Sequence, residues 1–250
     1  MSPSADVAAT RPFYERHADA YDALVADPVA PWVEAVDSHL RGAGQVSAKL
    51  LDAGCGTGRH AQALIDLGHR VTLLDAAPKL LGVAVERCPE APAHQGDICT
   101  ALAEKFSAIT CRGVLNDLVD SAERDAAMHS FAAMSEPGGL LMLDVREMNA
   151  SRRRADGRPH RVEVQLDDGR RLVFTSRPHW KSDRIVVEEI HELAERDGTI
   201  TETRYTFTMR PWTGPEILAR LGAAGFADVQ IRPGVGHRTP DRLFVTARKP

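Results

Sequence analysis

The feature that most constrains this chain is a glycine-rich turn in residues 50–60, with the sequence LLDAGCGTGRH. An apolar run typical of a buried strand leads into the turn, and Ala61, Leu64 and Ile65 follow it at helical spacing. The glycines remove side chains where the backbone must bend sharply and lie against a ligand. The helix behind them would present free amide hydrogens and a positive dipole to a negative group. The segment therefore predicts a strand, a ligand-binding turn and a helix.

The turn alone does not identify its ligand. Residues 56–61, GTGRHA, also fit the G-x-G-x-x-G/A pattern of dinucleotide-binding proteins, and a tight turn without any ligand is a third interpretation. Asp75 ends the second predicted strand, where a carboxylate can accept both hydroxyls of a ribose. Asp75 could also cap the helix predicted from Pro78, and the two roles are compatible.

A second carboxylate follows the third predicted strand, in the segment Gly96-Asp97-Ile98. At that edge of a parallel sheet, Asp97 can accept a hydrogen bond from an adenine amine while Ile98 covers the face of the ring. Taken alone, the segment would be a turn with a helix cap. Its position after the other two motifs favours an adenosine-binding site.

Strands and helices alternate along the first part of the chain. Strands are predicted at 49–53, 70–74, 92–95, 107–111 and 139–145, with a short helix at 98–104 before the fourth. Repeated strand–helix units predict a parallel sheet wrapped by helices. Before them, residues 1–11 are predicted to be disordered and residues 13–41 to be helical, with an interruption at Pro28 and Pro31.

The pattern changes after the fifth strand, because residues 160–209 alternate apolar and polar with period two. Asp168-Gly169 and Asp197-Gly198 are hairpin signals, so this segment predicts an antiparallel insertion of three or four strands. A capping box at Thr213 begins another helix, and closing strands follow at 226–232 and 242–248. The predicted fold class is α/β: a Rossmann-like, doubly wound, mostly parallel seven-stranded sheet with an antiparallel closing strand and an antiparallel β insertion after strand five.

Composition excludes several classes of function. The net charge of −4 and the absence of a clustered basic face argue against nucleic acid as a partner. None of the four cysteines forms a CxxC pair or has a histidine at zinc-ligand spacing, so we expect reduced thiols and no metal. There is no apolar run long enough to span a bilayer and no signal-peptide layout. The expectation is a cytoplasmic protein that does not act on membranes.

Three motifs together resemble one known family. LLDAGCGTGRH, VTLLDAAP and HQGDI match, in order and spacing, the first three motifs of class I S-adenosylmethionine-dependent methyltransferases. The resemblance implies S-adenosylmethionine as cofactor and S-adenosylhomocysteine as product. It also implies three parts: a helical lid at 1–45, a cofactor-binding core at 46–150 and 210–250, and the insertion at 151–209.

More narrowly, the chain is similar to bacterial small-molecule N- and O-methyltransferases, including those that act on amino sugars and secondary metabolites. These share a Y-x-x-x-A-x-x-YD helix, here from Tyr14 to Asp22, which would place Tyr14 and Tyr21 over the cofactor; helix packing is the alternative. The resemblance implies that the cofactor contacts Tyr14, Tyr21, Asp52, Ala53, Gly54, Cys55, Gly56, Gly58, Asp75, Ala76, Asp97, Ile98 and Arg112.

The sulfonium methyl group is already activated, so the main task of such a protein is to align a nucleophile with it. A general base is needed only for an acceptor that arrives protonated. The candidates near the acceptor are Asp117, His179 and Tyr14, although Asn116-Asp117 could simply cap the next helix. The insertion could wall a pocket for a small organic acceptor, form a homodimer interface, or do both.

Two other functions compete with this interpretation. An NAD-dependent oxidoreductase would share the glycine turn, but Asp52 before the turn, Asp97 after strand three and the lack of a Tyr-x-x-x-Lys pair disfavour it. A protein that binds S-adenosylmethionine in a regulatory role, or for a reaction other than methyl transfer, would share every motif. The sequence does not distinguish an N from an O acceptor.

Overall fold

The computed structural model of the chain describes residues 2–25 and 27–250. The strands are β1 (Lys49–Ala53), β2 (Arg70–Asp75), β3 (Ala93–Gln95), β4 (Phe106–Arg112), β5 (Ser135–Arg146), β6 (His160–Gln165), β7 (Arg171–Lys181), β8 (Arg184–Ala194), β9 (Ile200–Met209), β10 (Ala227–Pro233) and β11 (Arg242–Arg248). The α-helices are α1 (Pro3–Thr10), α2 (Pro12–Glu15), α3 (Tyr21–Leu24), α4 (Ala30–Gly42), α5 (Arg59–Asp66), α6 (Pro78–Arg87), α7 (Ser121–Met134), α8 (Met148–Arg154) and α9 (Gly214–Ala223).

The larger sheet has seven strands in the order β10-β11-β5-β4-β1-β2-β3. Its neighbouring strands pair in parallel except at β11, which is antiparallel to both β5 and β10. The smaller sheet is an antiparallel meander of four strands, β6 to β9. This arrangement confirms the predicted fold class, including the antiparallel closing strand and the insertion after strand five.

Two apolar clusters cover the two faces of the larger sheet, as expected for parallel strands buried on both sides. Leu50 and Leu51 are neighbours in β1, and because side chains alternate along a strand they lie in different clusters. Leu50 packs with Trp32 of α4, whereas Leu51 packs with Phe131 of α7 and Trp212 before α9. The carboxyl ends of β1, β2, β4 and β5 therefore meet along one edge of a rigid layer.

The N-terminal segment differs from the prediction, because residues 3–10 form a helix and are not disordered. The Ser2 side chain caps α1 by accepting a hydrogen bond from the Ala5 amide, and Pro3 occupies the first turn. A serine followed by proline is a helix-start signal. The predicted interruption near Pro28 is confirmed, since α4 begins at Ala30 with Pro31 in its first turn.

Two other predictions of local structure were wrong. No helix forms at 98–104, because the Asp97 carboxylate accepts the Cys99 amide at 2.8 Å and closes a side-chain turn that competes with a helix. Conversely, α8 was not predicted, although Glu147 caps it by accepting the amides of Asn149 and Ala150. Among the described helices, none has the length and apolar character needed to cross a bilayer.

Candidate active site

The glycine turn after β1 has a backbone that only glycine adopts readily. Gly54, Gly56 and Gly58 have φ values of +75°, +57° and +75°. A Cβ added to Gly54 would lie 2.2 Å from Cγ2 of Val114, so this position also has no room for a side chain. A Cβ on Gly56 would meet only the ring of Tyr21, at 4.0 Å. At Gly56 the turn thus presents bare backbone close to the ring of Tyr21.

Asp75, at the end of β2, fixes this turn. One carboxylate oxygen accepts the Gly56 amide at 2.8 Å, and the other accepts the Ala77 amide at 2.8 Å, just before α6. Burial raises the pKa of Asp75, and the hydrogen bonds from Ala77 and Gly56 counteract part of that rise. The alternative role as a helix cap is not observed, because Ala77 is the N-cap of α6 and no side chain caps that helix, and the carboxylate keeps further lone pairs for a ligand.

Asp97 holds the N-terminal helix. Its two carboxylate oxygens accept the Cys99 amide at 2.8 Å and the Ser2 amide at 2.9 Å. Burial favours the neutral acid, but the hydrogen bonds from Cys99 and Ser2 outweigh it and hold the pKa of Asp97 below its ordinary value. Asp97 is therefore an anionic acceptor at the cavity wall.

One cavity of about 620 Å³ joins three parts of the chain. The first wall is the edge of the parallel sheet, with Gly56 and Asp75, and the second is the N-terminal segment, with Tyr14 and Tyr21. The third wall is the apolar face of the insertion. Its members include Phe174, Ile185, Val187, Phe207 and Met209. The predicted site residues in contact with the cavity are Tyr14, Tyr21, Gly54, Gly56, Asp75, Ala76, Asp97, Ile98, Arg112 and Asp117.

Other predicted site residues do not line the cavity; they are Asp52, Ala53, Cys55, Gly58 and His179. Asp52 lies behind the turn, where it accepts a hydrogen bond from the Thr110 hydroxyl at 2.9 Å and burial raises its pKa to about 6. Gly58 packs against α6, since a Cβ there would be 3.1 Å from the Ala84 Cα. These residues support the turn and do not face the cavity.

The structure does not bring His179 to the cavity, which corrects the prediction that it is a candidate base near the acceptor. Ser176 and Pro178 of β7 line the cavity, and alternation along the strand puts His179 on the opposite face. Its side chain is 47% exposed and lies 3.9 Å from Glu188. A base in the acceptor site must come from another residue.

Asp117 does line the cavity, and it does not cap the next helix. Asp120 caps α7 through a capping box with Glu123. Asn116 holds the preceding loop, donating to the Gly113 carbonyl at 2.9 Å and accepting the Arg146 amide at 2.7 Å. Burial raises the pKa of the Asp117 carboxyl to about 6, although Arg11, Arg146 and Arg242 oppose the rise. The carboxylate is therefore a titratable group enclosed by the cavity.

Arg11 and Glu189 are among the charged residues of this cavity that sequence reasoning missed. Glu189 of β8 is 1% exposed, and its carboxylate forms a two-point ion pair with Arg11. The sequence did contain a signal for Glu189. Ile185, Val187 and Glu189 are alternate residues of β8, so their side chains point to the same inner face. No comparable pattern marks Arg11, which lies between two short helices.

A second polar cluster closes another side of the cavity, in the loop between β10 and β11. His237 lies between two carboxylates, with Nδ1 at 2.7 Å from Asp27 and Nε2 at 3.0 Å from Asp144. Arg242 donates to the other oxygen of Asp144 at 2.8 Å. Sequence analysis did not identify this cluster, because its members come from three distant segments. Among the described residues, no group of three potential metal ligands comes together.

Comparisons with known proteins agree with this architecture. Residues 50–139 match the family model of a methyltransferase domain. Over 100 residues the chain is 38% identical to the dTDP-3-amino-3,6-dideoxy-alpha-D-glucopyranose N,N-dimethyltransferase of Streptomyces fradiae. That match covers 39% of each of the two chains, so it spans less than half of the relative's length.

Two solved structures are similar over most of the chain. The sugar N-methyltransferase KedS8 from Streptoalloteichus superposes with a TM-score of 0.78 at 26% identity, covering 89% of both chains. CalS10, an amino pentose methyltransferase from Micromonospora echinaspora with bound S-adenosylmethionine, superposes with a TM-score of 0.68 at 28% identity, covering 87% of this chain and 90% of that one. The chain is therefore similar to methyltransferases in residues 50–139, and over most of its length its fold resembles that of an amino pentose methyltransferase that binds S-adenosylmethionine.

Proposed function

We propose that this protein transfers the methyl group of S-adenosylmethionine to an amine nitrogen of a small, sugar-sized acceptor. The observation that carries the proposal is one cavity that joins the glycine turn to the half-buried carboxylate of Asp117. The amine and the sugar come from the relatives, which are named as methyltransferases of amino sugars.

The cofactor half of the cavity would use the edge of the parallel sheet. In this proposal Asp75 accepts the ribose hydroxyls, Asp97 accepts the adenine amine and Ile98 covers the ring. The backbone at Gly56, which carries no side chain, supports this placement, because Gly56 and Tyr21 both line the cavity. Asp52, Cys55 and the other predicted residues behind the turn contribute by shaping it.

The acceptor half would align an amine nitrogen with the methyl group. Its lone pair attacks the methyl carbon, the carbon–sulfur bond breaks, and that electron pair stays on sulfur to give S-adenosylhomocysteine. Asp117 would orient the nitrogen by accepting an N–H hydrogen bond, and it would stabilise the positive charge that develops there. A carboxylate with a pKa of about 6 is ionised in the neutral range, where it can do both.

The insertion and the N-terminal segment would enclose the acceptor. Phe174 and Phe207 contribute apolar walls to the cavity, which suits a compact organic molecule better than a polymer. In this proposal residues 151–209 act as a roof and residues 1–45 as a lid, and the protein needs neither nucleic acid nor a membrane. A homodimer contact on the outer face of the insertion stays compatible with that role.

A direct assay tests the proposal. The purified chain would be incubated with radiolabelled S-adenosylmethionine and a panel of nucleotide-linked amino sugars, each matched with the sugar that carries a hydroxyl in place of the amine. We expect methyl transfer to at least one amino sugar, with mass spectrometry locating the new methyl on nitrogen, and none to its hydroxyl analogue. Binding of S-adenosylmethionine without transfer to any acceptor would favour the regulatory alternative, and transfer to the hydroxyl analogues would favour an O-methyltransferase.

A further inference from the structure

The buried ion pair between Arg11 and Glu189 connects two parts of the chain that lie 178 residues apart. Nε of Arg11 donates to one carboxylate oxygen of Glu189 at 3.0 Å, and a terminal nitrogen of the same guanidinium donates to the other oxygen. Both residues are buried, with 8% of Arg11 and 1% of Glu189 exposed. A two-point pair fixes the plane of the guanidinium as well as its position.

Arg11 uses its remaining nitrogen inside the cavity. That nitrogen donates to the hydroxyl oxygen of Tyr14 at 2.8 Å, while the guanidinium lies 3.8 Å from the ring centroid of Phe207. Because the Tyr14 oxygen accepts this bond, its own proton is free to donate elsewhere. Among the described residues, no protein acceptor takes that proton, and Tyr14 lines the cavity.

We infer that Arg11 and Glu189 are positioning residues that aim the hydroxyl of Tyr14 at the acceptor, so that the insertion controls a group on the lid. This inference rests on the proposed function. The chain of contacts runs from Glu189 on β8 through Arg11 to Tyr14. An acceptor in contact with Phe207 would lie next to the guanidinium of Arg11, which also bonds to Tyr14. Acceptor binding and the position of the Tyr14 hydroxyl would therefore be coupled.

Two histidines near Glu189 do not replace Arg11. Nε2 of His191 lies 3.6 Å from the Glu189 carboxylate, which exceeds hydrogen-bond distance. The ring of His17 stacks on His191 with centroids 4.9 Å apart, and burial lowers the pKa of His17 to about 4, so it is neutral. Arg11 is thus the cation bonded to Glu189, and the pair does more than neutralise a charge because it also reaches Tyr14.

The first test is a double-mutant cycle on turnover. Glu189→Gln keeps the size of the side chain but removes the charge, and we expect kcat to fall about 10- to 100-fold through misplacement of Tyr14. In a Tyr14→Phe background the same substitution should cause little further loss, because the positioned hydroxyl is already absent. An equal loss in both backgrounds would overturn the inference. Glu188→Gln is the matched control, since Glu188 is the next residue of β8 and its side chain is 54% exposed.

The second test does not depend on turnover. The chain has only three tyrosines, so protein labelled with 3-fluorotyrosine should give three fluorine resonances, and Tyr14→Phe assigns one of them. We expect Glu189→Gln to move the Tyr14 resonance and Glu188→Gln to leave it unchanged. An unmoved resonance would overturn the inference even if the enzyme is active, whereas a moved resonance in a protein without turnover would reject only the proposed function.

Arg11→Lys extends both tests and keeps them decisive if Glu189→Gln does not fold. Lysine retains the charge beside Glu189, but it lacks the planar fork that reaches both Glu189 and Tyr14. We expect the same loss of kcat and the same shift of the Tyr14 resonance. Normal kcat and an unmoved resonance in this variant would contradict the inference.

Discussion

The two halves of the cavity are built in different ways. In the cofactor half, contacts are local: Asp75 bonds to Gly56, 19 residues away, and to Ala77, two residues away. In the acceptor half, Arg11 meets Glu189 across 178 residues, and the rings of Phe13 and Phe174 stack with centroids 5.1 Å apart. A short motif can encode the first half, whereas only the folded chain assembles the second.

The halves also differ in how their carboxylates are satisfied. Backbone amides bond to both oxygens of Asp75 and to both oxygens of Asp97. The carboxylate of Asp117 has no hydrogen-bond or ion-pair partner within residues 2–25 and 27–250, and only more distant charges oppose the rise of its pKa. This difference supports the proposal that the sheet edge binds the cofactor and that Asp117 binds the acceptor.

The largest effect is expected from Phe207→Ser, which removes an aromatic ring from the inner face of the insertion. Phe207 is 5% exposed and contacts the guanidinium of Arg11, so we expect the free energy of unfolding to fall by about 3–5 kcal/mol. Chemical denaturation measures this, and methyl transfer should fall more than cofactor affinity. Thr208→Ser is the control, and equal damage by both substitutions would mean that the assigned face is wrong.

Asp117→Asn sharpens the comparison on the acceptor side. Removing the charge should lower kcat about 100-fold while the dissociation constant for S-adenosylmethionine stays nearly constant. In the wild type, turnover should decline as the pH falls below about 6, because the carboxyl becomes protonated. The variant should lack that decline. Asp66→Asn, an exposed carboxylate on α5, is the matched control, and a fully active Asp117→Asn variant would exclude Asp117 from the reaction.

The same carboxyl should make stability depend on pH. Because its pKa rises from 3.8 to about 6 on folding, its contribution to stability is present below pH 3.8 and is lost as the pH rises through about 6. As the pH rises through that window, the wild type should therefore lose about 2–3 kcal/mol of unfolding free energy relative to the Asp117→Asn variant. Urea denaturation at several pH values measures it, and a constant difference would contradict the shifted pKa.

Asp75→Ala probes the cofactor half. Removing a charged acceptor should weaken S-adenosylmethionine binding by about 1.5–3 kcal/mol, measured by calorimetry. Removing the carboxylate also leaves the Gly56 amide without its acceptor, so part of the weaker binding would come from a change in the turn itself. Unchanged affinity would leave Asp75 only its structural role.

Tight binding of NAD with no heat from S-adenosylmethionine would reject the cofactor assignment altogether.

The smallest effect is expected from His179→Ala. Its side chain is half-exposed on the outer face of the insertion, so stability should change by less than about 0.5 kcal/mol and kcat should stay as in the wild type. A tenfold loss of kcat would show that this face also bears on the acceptor, and the distinction between the inner and outer faces of the roof would fail.

The sequence predicted the parallel core well because its signals are short and physical. The glycine turn at 54–58, Asp75 at the end of β2 and Asp97 after β3 all depend on backbone geometry within a few residues. The hairpins of the insertion followed from Asp168-Gly169 and Asp197-Gly198 in the same way. The missed N-terminal helix was also local, since Ser2 and Pro3 carried its start signal.

By itself, then, the sequence determined the order of the strands, the position of the cofactor turn and the period-two face of the insertion. Only the tertiary structure decided that Glu189 meets Arg11 and that, among the described residues, no side chain pairs with the carboxylate of Asp117. The physical reason is that propensity, capping and strand period act over a few residues, whereas a buried charge acquires its role from whichever distant segment packs against it.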